Sequence, residues 1–214
     1  MPRVTNFKQE LVGVLGFPVA ENPTQVMVEA AFRAMGMDWR YLTVEVQPEA
    51  LGDAVRGIRA MGWRGFNCTI PHKVAIIRYL DRLSPAAEMI GAVNCVFHDG
   101  GMLFGDNTDG KGFTQSVSEL AAIGGMHVVL LGAGGAARAI AIELGLAGAA
   151  SIRIVNRTLE RAEAIAAGVA RHTGVLAIPQ QWNVRYSIPP ESTLVVNATP
   201  IALYPDVLAE VPID

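Results

Sequence analysis

The sequence predicts an α/β fold built as two successive units. Short apolar runs alternate with helix-length segments along the chain, which is the pattern of strands and crossover helices. That alternation pauses near residues 108–125 and then restarts. At the restart, a glycine-rich turn lies between an apolar strand pattern and a helical one, as in a dinucleotide-binding unit.

In the first unit, LVGVLG (11–16) reads as a strand, and QVMVEAAFRAMG (25–36) has helical spacing and ends at a glycine. RYLTVEV (40–46) alternates as a strand does. PEALGDAVRGIRAMG (48–62) opens on proline and closes on glycine, the asymmetry of a helix. GFNCTI (65–70) reads as a strand, HKVAIIRYLDRL (72–83) as a helix and AVNCVF (92–97) as a further strand, in a largely parallel sheet. DGKGFTQSVSELAAIG (109–124) reads as a connecting helix. In the second unit the order is strand HVVLL (127–131), helix 135–148, strand SIRIV (151–155) and helix 159–174, then candidate strands at 175–178 and 192–197. PQQWNVRYSIPPES reads as a polar, proline-rich loop. The expected domains are 1–108, a connecting helix at 109–124, and 125–214. Four strands in the second unit, where a complete dinucleotide-binding sheet has six, read as an N-terminal fragment of a longer protein.

With 214 residues, 51% hydrophobic and 17% charged, the chain can bury a substantial core. A net charge of -3 with scattered arginines gives no footprint for nucleic acid or an anionic membrane. Cys68 and Cys95 sit in apolar runs and read as small buried hydrophobes. The N-terminus has no signal-peptide core, and the apolar run 127–150 is broken by Arg138, Glu143 and glycines. The expectation is a soluble, cytoplasmic protein. The histidines at 72, 98, 127 and 172 show no metal-ligand spacing, so no metal is expected; the oligomeric state is not readable.

Gly132, Gly134 and Ala137 form G-x-G-x-x-A after a strand and at a helix start. These small residues allow the sharp turn, the approach of backbone amides to a pyrophosphate, and close helix–strand packing. A structural tight turn is the alternative. The next strand ends in Asn156-Arg157-Thr158, with Arg161 one turn on. A carboxylate there would hold the ribose hydroxyls of NAD, whereas a guanidinium can hold a 2′-phosphate, so NADP is the expected cofactor. Otherwise both arginines are solvent-facing helix residues.

Lysine is rare: Lys8, Lys73 and Lys111 stand against fourteen arginines, yet Lys73 follows Ile-Pro-His in a tight turn. Lysine can give up a proton and arginine cannot. Polar clusters N-x-T-x-P-H-K (67–73), G-A-V-N (91–94) and D-N-T-D (106–109) fall at strand ends and could hold a hydroxylated substrate. Carbonyl reduction needs a proton as hydride arrives, and a lysine beside a carboxylate can deliver it. Asp109, at the domain boundary, reads as that partner. Singly, Lys73 would suit a solvated helix start and Asp109 an N-cap.

Together NCTIPHK, GAVNC, GDNTDGKG, GAGGAARA, NRTLERA and NATPIALYP resemble the signature blocks of shikimate dehydrogenases, in order and over nearly the whole chain. The resemblance implies an N-terminal α/β substrate-binding domain, a Rossmann-type NADP-binding domain and a cleft between them. It also implies NADP-dependent, reversible reduction of 3-dehydroshikimate to shikimate. By position, Lys73 matches the catalytic lysine and Asp109 its partner carboxylate. Asn94 and Thr69 match residues that bind substrate hydroxyls. Gly132, Ala133, Gly134, Gly135 and Ala136 match the pyrophosphate turn, and the segment from Asn156 through Arg157 and Thr158 to Arg161 matches the 2′-phosphate side. Leu203 and Tyr204 fall where the family lines the nicotinamide and the substrate.

The block GFPVAENPTQ departs from the family's G-x-P-x-x-H-S-x-S-P. Asn22 and Thr24 stand for the two serines that hold the substrate carboxylate, Glu21 for the histidine and Gln25 for the proline. Ala202 replaces a usual glycine. Two alternatives stay open: the same chemistry on quinate or another cyclic polyol acid, and a non-catalytic NADP-binding module.

Overall fold

The computed structural model describes residues 7–202 and 206–214. The chain divides into two compact units, one comprising residues up to Ser84 with Val93–Asp106, the other Pro85–Ala92 with Asn107–Asp214.

The first unit is a six-stranded mixed sheet. Its elements are β1 (Glu10–Gly16), α1 (Thr24–Ala34), β2 (Trp39–Glu45), α2 (Leu51–Met61), β3 (Gly65–Cys68), α3 (His72–Ala75), β4 (Arg82–Leu83), β5 (Cys95–Asp99) and β6 (Met102–Asp106). The order is β2-β1-β3-β5-β6-β4. β2, β1 and β3 run parallel, while β5 is antiparallel to both β3 and β6, so this sheet is less parallel than the sequence reading expects. Gly100 and Gly101, with φ values of 55° and 86°, make the two-residue hairpin turn that sets β6 antiparallel to β5.

The long helix expected over 72–83 is also absent. α3 ends at Ala75, a 3₁₀ turn follows at Ile76–Tyr79, and Leu80 is extended. Tertiary pairing overrides the helical pattern here. The Asp81 amide donates to Leu103 O at 3.0 Å, its carboxylate accepts from the Leu103 amide at 2.7 Å, and Arg82–Leu83 pairs with β6. α2 keeps its expected form: Leu51, Val55 and Ile58 are buried on one face, and the helix ends at Gly62 with φ 67°.

The second unit is a four-stranded, all-parallel sheet of order β10-β7-β8-β9. Its elements are α4 (Pro85–Ile90), α5 (Asp109–Ser118), β7 (His127–Leu131), α6 (Gly135–Leu146), β8 (Ser151–Asn156), α7 (Leu159–Thr173), β9 (Leu176–Gln181) and β10 (Leu194–Asn197). Val128, Leu130, Ile152 and Ile154 pack under α6 and α7, with Ile90 of α4 in the same core. α5 crosses α6 so closely that a Cβ on Gly110 would lie 2.4 Å from Ala139 O.

The opposite face carries Val129, Leu131 and Val155. A parallel sheet needs cover on both faces. Here Trp182 and Tyr186 supply it, from the stretch expected to be a polar loop. Tyr186 also bridges to Ile213 and hydrogen-bonds with Pro212 and Asp214. Among the described residues no helix is long and apolar enough to cross a membrane.

Candidate functional site

Parallel strands present their C-terminal ends to ligands. In the first unit those ends belong to β1, β2 and β3. β1 runs through a cis Phe17–Pro18 bond into the loop before α1, and β3 runs through Thr69 and a cis Ile70–Pro71 bond into α3. The loops are tied together: Phe17 N donates to Ile70 O and Thr69 N to Leu15 O, at 3.0 and 2.9 Å.

His72 is 1% exposed, and its Nε2–H donates to Val46 O at 2.7 Å. The imidazole is thus a buried strut holding the turn after β2, and it leaves the next residue, Lys73, half-buried. The Lys73 carbonyl accepts from the Val93 amide at 2.7 Å, which joins the TIPHK turn to the GAVN segment. The Asn94 carbonyl accepts from the Cys68 amide at 2.9 Å and from Asn67 Nδ2 at 3.1 Å. Asn67 Oδ1 accepts from the Tyr41 hydroxyl at 2.8 Å. So Thr69, Lys73 and Asn94 gather at the end of β3, with Asn67 and Tyr41 behind them.

Asn22 and Thr24 lie half-buried at the start of α1. Asn22 Oδ1 accepts from the Thr24 amide at 2.9 Å, and Gln25 Oε1 accepts from the Thr43 hydroxyl at 3.2 Å. Glu21 is exposed. The acceptor of Asn22 is therefore already engaged by the helix start, leaving its Nδ2, the Thr24 hydroxyl and Gln25 Nε2 as side-chain donors of this block.

Burial pushes the Cys68 thiol from 9.0 up to about 12; Cys95 adds to the rise and the Lys73 charge opposes it. Burial first, then Cys95, raises the Tyr41 phenol from 10.0 to about 12. The fold favours the neutral form of both groups, so their contribution is complete below the ordinary values and is lost as pH climbs towards 12. Denaturant midpoints are expected to fall steadily from about pH 9 upward, with Cys68→Ala flattening the first part of the fall. A midpoint independent of pH across that range contradicts this.

Asp109 opens α5 in the second unit. Its amide donates to Asn107 Oδ1 at 3.1 Å. Asn107 is 1% exposed, and its Nδ2 donates to Ala92 O at 2.9 Å, so one buried amide fixes the start of α5.

β7 runs into Gly132, which has φ 106° and would place a Cβ 2.9 Å from Ala198 O. Ala133 is buried, Gly134 begins α6 in open space, and Gly135 and Ala136 form its first turn. Ala137 is fully buried and closes the helix onto the strand. The amides of this turn and the helix N-terminus form a receptor for a phosphate. At the end of β8, Asn156 Nδ2 donates to Thr158 O at 2.8 Å, and Arg157, Thr158 and Arg161 are exposed beside the start of α7.

After β10, Asn197 Oδ1 accepts from the Thr199 amide and hydroxyl at 3.0 and 2.6 Å. Ala202 has φ 69°, the left-handed region that glycine occupies without strain, which explains the glycine usual at this position. Leu203 and Tyr204 lie outside the described residues.

Tyr41 is a structured polar residue that the sequence reading does not single out, and Asn107 is read only as one member of the D-N-T-D cluster. Tyr41 looks like one more aromatic on an alternating strand, and Asn107 like one more turn former.

Family models match the chain at residues 14–96, as the shikimate dehydrogenase substrate binding domain, and at residues 115–181, as shikimate / quinate 5-dehydrogenase. The shikimate dehydrogenase (NADP(+)) of Symbiobacterium thermophilum is 46% identical over 201 residues, covering 92% of this chain and 68% of that protein. Among solved structures, the ligand-free 5-ketofructose reductase of Gluconobacter sp. strain CHM43 is 47% identical with a TM-score of 0.86, over 98% of this chain and 75% of that one. The Thermus thermophilus shikimate 5-dehydrogenase in complex with NADP(H) and shikimate is 35% identical with a TM-score of 0.80, over 96% of this chain and 74% of that one. Two family models in tandem, relatives of this identity over most of the chain, and a substrate-type α/β unit followed by a dinucleotide-type one lead to one conclusion: this chain belongs to the shikimate dehydrogenase family.

Proposed function

We propose that this protein is an NADP-dependent dehydrogenase that interconverts 3-dehydroshikimate and shikimate, a step of aromatic amino acid biosynthesis. The observation that carries the reading is the TIPHK turn at the end of β3. It presents one half-buried lysine beside Thr69 and Asn94, on a sheet whose loops are hydrogen-bonded to one another.

NADPH, when bound, supplies the hydride that forms the new C–H bond at the ring ketone. Lys73 donates its ammonium proton to the carbonyl oxygen as the C=O π bond opens, so the ketone becomes a secondary alcohol and the lysine is left neutral until solvent reprotonates it. Asp109 is the carboxylate that sets the lysine for this transfer. Thr69 and Asn94 hold ring hydroxyls, and the amides of Gly132–Ala136 hold the pyrophosphate. Leu203 and Tyr204 line the nicotinamide and substrate side.

Arg157 and Arg161 hold the adenosine 2′-phosphate, which NAD lacks. Arg157→Ala is expected to weaken NADPH binding by roughly 10- to 100-fold, the loss of a charge-assisted hydrogen bond, while NADH binding changes less than threefold. Equal losses for both cofactors contradict this assignment. Cytoplasmic location is part of the same proposal, supported by the two unpaired cysteines, Cys68 and Cys95.

A second reading keeps the chemistry and changes the substrate. It is favoured by the α1 block: Asn22 has its acceptor engaged, Thr24 offers one hydroxyl, and the exposed Glu21 adds a negative charge where the family holds a carboxylate. The Gluconobacter relative is named for a ketose without a carboxylate, so a neutral polyhydroxy ketone fits this block. Initial rates of NADPH oxidation with 3-dehydroshikimate, 3-dehydroquinate and 5-ketofructose separate the readings. A kcat/KM highest for 3-dehydroshikimate supports the first, and one highest for the neutral ketose supports the second. A non-catalytic role requires no turnover of any of the three.

A further inference from the structure

Tyr41 is 2% exposed, yet its hydroxyl is delivered across two strands to a polar group. The register explains the reach. Tyr41 of β2 pairs with Val12 of β1, and Val14 of β1 pairs with Asn67 of β3. Partners in a parallel ladder point to the same face, as do residues two apart. The tyrosine ring therefore lies in the cluster of Val12, Val14, Val19, Val28 and Phe32, and its hydroxyl comes out over β3. The ring alone would fill this space as phenylalanine; a buried hydroxyl is retained without penalty only where it is bonded.

The direction of each hydrogen bond in the chain Tyr41–Asn67–Asn94 is fixed by its end. The Asn94 backbone carbonyl can only accept, so the amide nitrogen of Asn67 must face it. Asn67 Oδ1 then faces Tyr41, and the phenol must be the donor, at 2.8 Å. A phenol holds its proton throughout the neutral range, and burial raises the Tyr41 value further, to about 12. One Nδ2 proton of Asn67 is used on the Asn94 carbonyl, and the other remains for a ligand. Without the phenol, Oδ1 loses this partner and the amide is free to rotate away from the Asn94 carbonyl, which keeps its bond from the Cys68 amide.

We propose that Tyr41 is a positioning residue of the substrate site, its hydroxyl locking the Asn67 amide in the orientation that faces Asn94. The inference rests on the reading of the β3 end as the place where ring hydroxyls are held.

Tyr41→Phe removes one oxygen and tests it. The expected result is a rise of about tenfold in KM for the ring substrate, with kcat within about threefold and KM for NADPH unchanged. In an Asn67→Ala background the same substitution is expected to add less than twofold, because the group it acts through is gone. A substrate KM unaffected by Tyr41→Phe overturns the inference. So does a uniform loss in kcat and in both KM values with a lowered unfolding midpoint, which marks a merely structural tyrosine, or additive losses in the double variant. If the wild-type protein turns over no ring ketone, the proposed function fails and the inference is still read by ¹⁵N NMR. The Asn67 side-chain amide signals are expected to shift and lose exchange protection in Tyr41→Phe, and unchanged signals overturn it.

Discussion

Lys73→Ala lowers kcat by roughly 10²- to 10⁴-fold, the usual worth of a positioned acid or base, and leaves NADPH affinity within about twofold. Little else is expected to change. The contact that Lys73 makes through its backbone, the carbonyl accepting from Val93 at 2.7 Å, survives in alanine, and the buried strut of this turn is His72 rather than the lysine. Lys73→Arg is the sharper variant. It keeps the positive charge and the helix position, but a guanidinium does not give up its proton at any working pH. The arginine variant is therefore expected to be nearly as inactive as the alanine one. Full turnover in Lys73→Arg would show that the charge alone matters and that the proton comes from elsewhere. Single-turnover rates with fluorescence titration of NADPH separate the chemical step from binding.

Two glycines of one turn are expected to fail in opposite ways. Gly134→Val leaves the fold intact, since the backbone there is extended (φ -91°, ψ -169°) and nothing lies within 4 Å of the added Cβ. What it removes is room for a pyrophosphate on the α6 amides. NADPH affinity is expected to fall by roughly two orders of magnitude or more, equivalent to two charge-assisted hydrogen bonds at about 1.5–3 kcal/mol each. Gly132→Ala instead strains the fold. With φ 106° and a backbone oxygen, Ala198 O, 2.9 Å from the new Cβ, the turn has to shift, at about 1–3 kcal/mol of stability. Calorimetric titration and thermal melts of both variants check the pair. Gly134→Val that binds NADPH like the wild type would remove the turn from the cofactor site.

Much of the dinucleotide-type unit was legible, but α4 was not read, α5 ends at Ser118 rather than at 124, and β9 runs on to Gln181 into the stretch read as a loop. HVVLL is β7 as read, and the helices after it start where the sequence places them, because each element has a clear period and a glycine or threonine at its edge. The first unit was legible where period and caps agree, as in α2. It was not legible where distant pairing decides. The helical run 72–83 yields to β6, and the Gly100-Gly101 turn signal, present in the sequence, lies just beyond the last strand read there. Trp182 and Tyr186 were hidden among prolines and polar residues, and only the uncovered face of β7 and β8 gives them a role.

The candidate site divides in the same way. Lys73, Thr69, Asn94 and the glycine turn stand out because their chemistry is unusual for the local pattern. Tyr41 acquires meaning only from the strand order β2-β1-β3, which brings it within reach of Asn67 and which no local spacing encodes. Asn107 likewise matters because Ala92, fifteen residues away, supplies its acceptor.

The central claim is that Lys73 protonates a ring ketone in an NADP-linked reduction. Initial rates of NADPH oxidation with 3-dehydroshikimate, measured side by side for the wild type, Lys73→Ala and Lys73→Arg, test it most directly. Turnover in the wild type and its near-complete loss in both variants, with NADPH still bound, is the expected result. Turnover that persists in either variant would contradict the account.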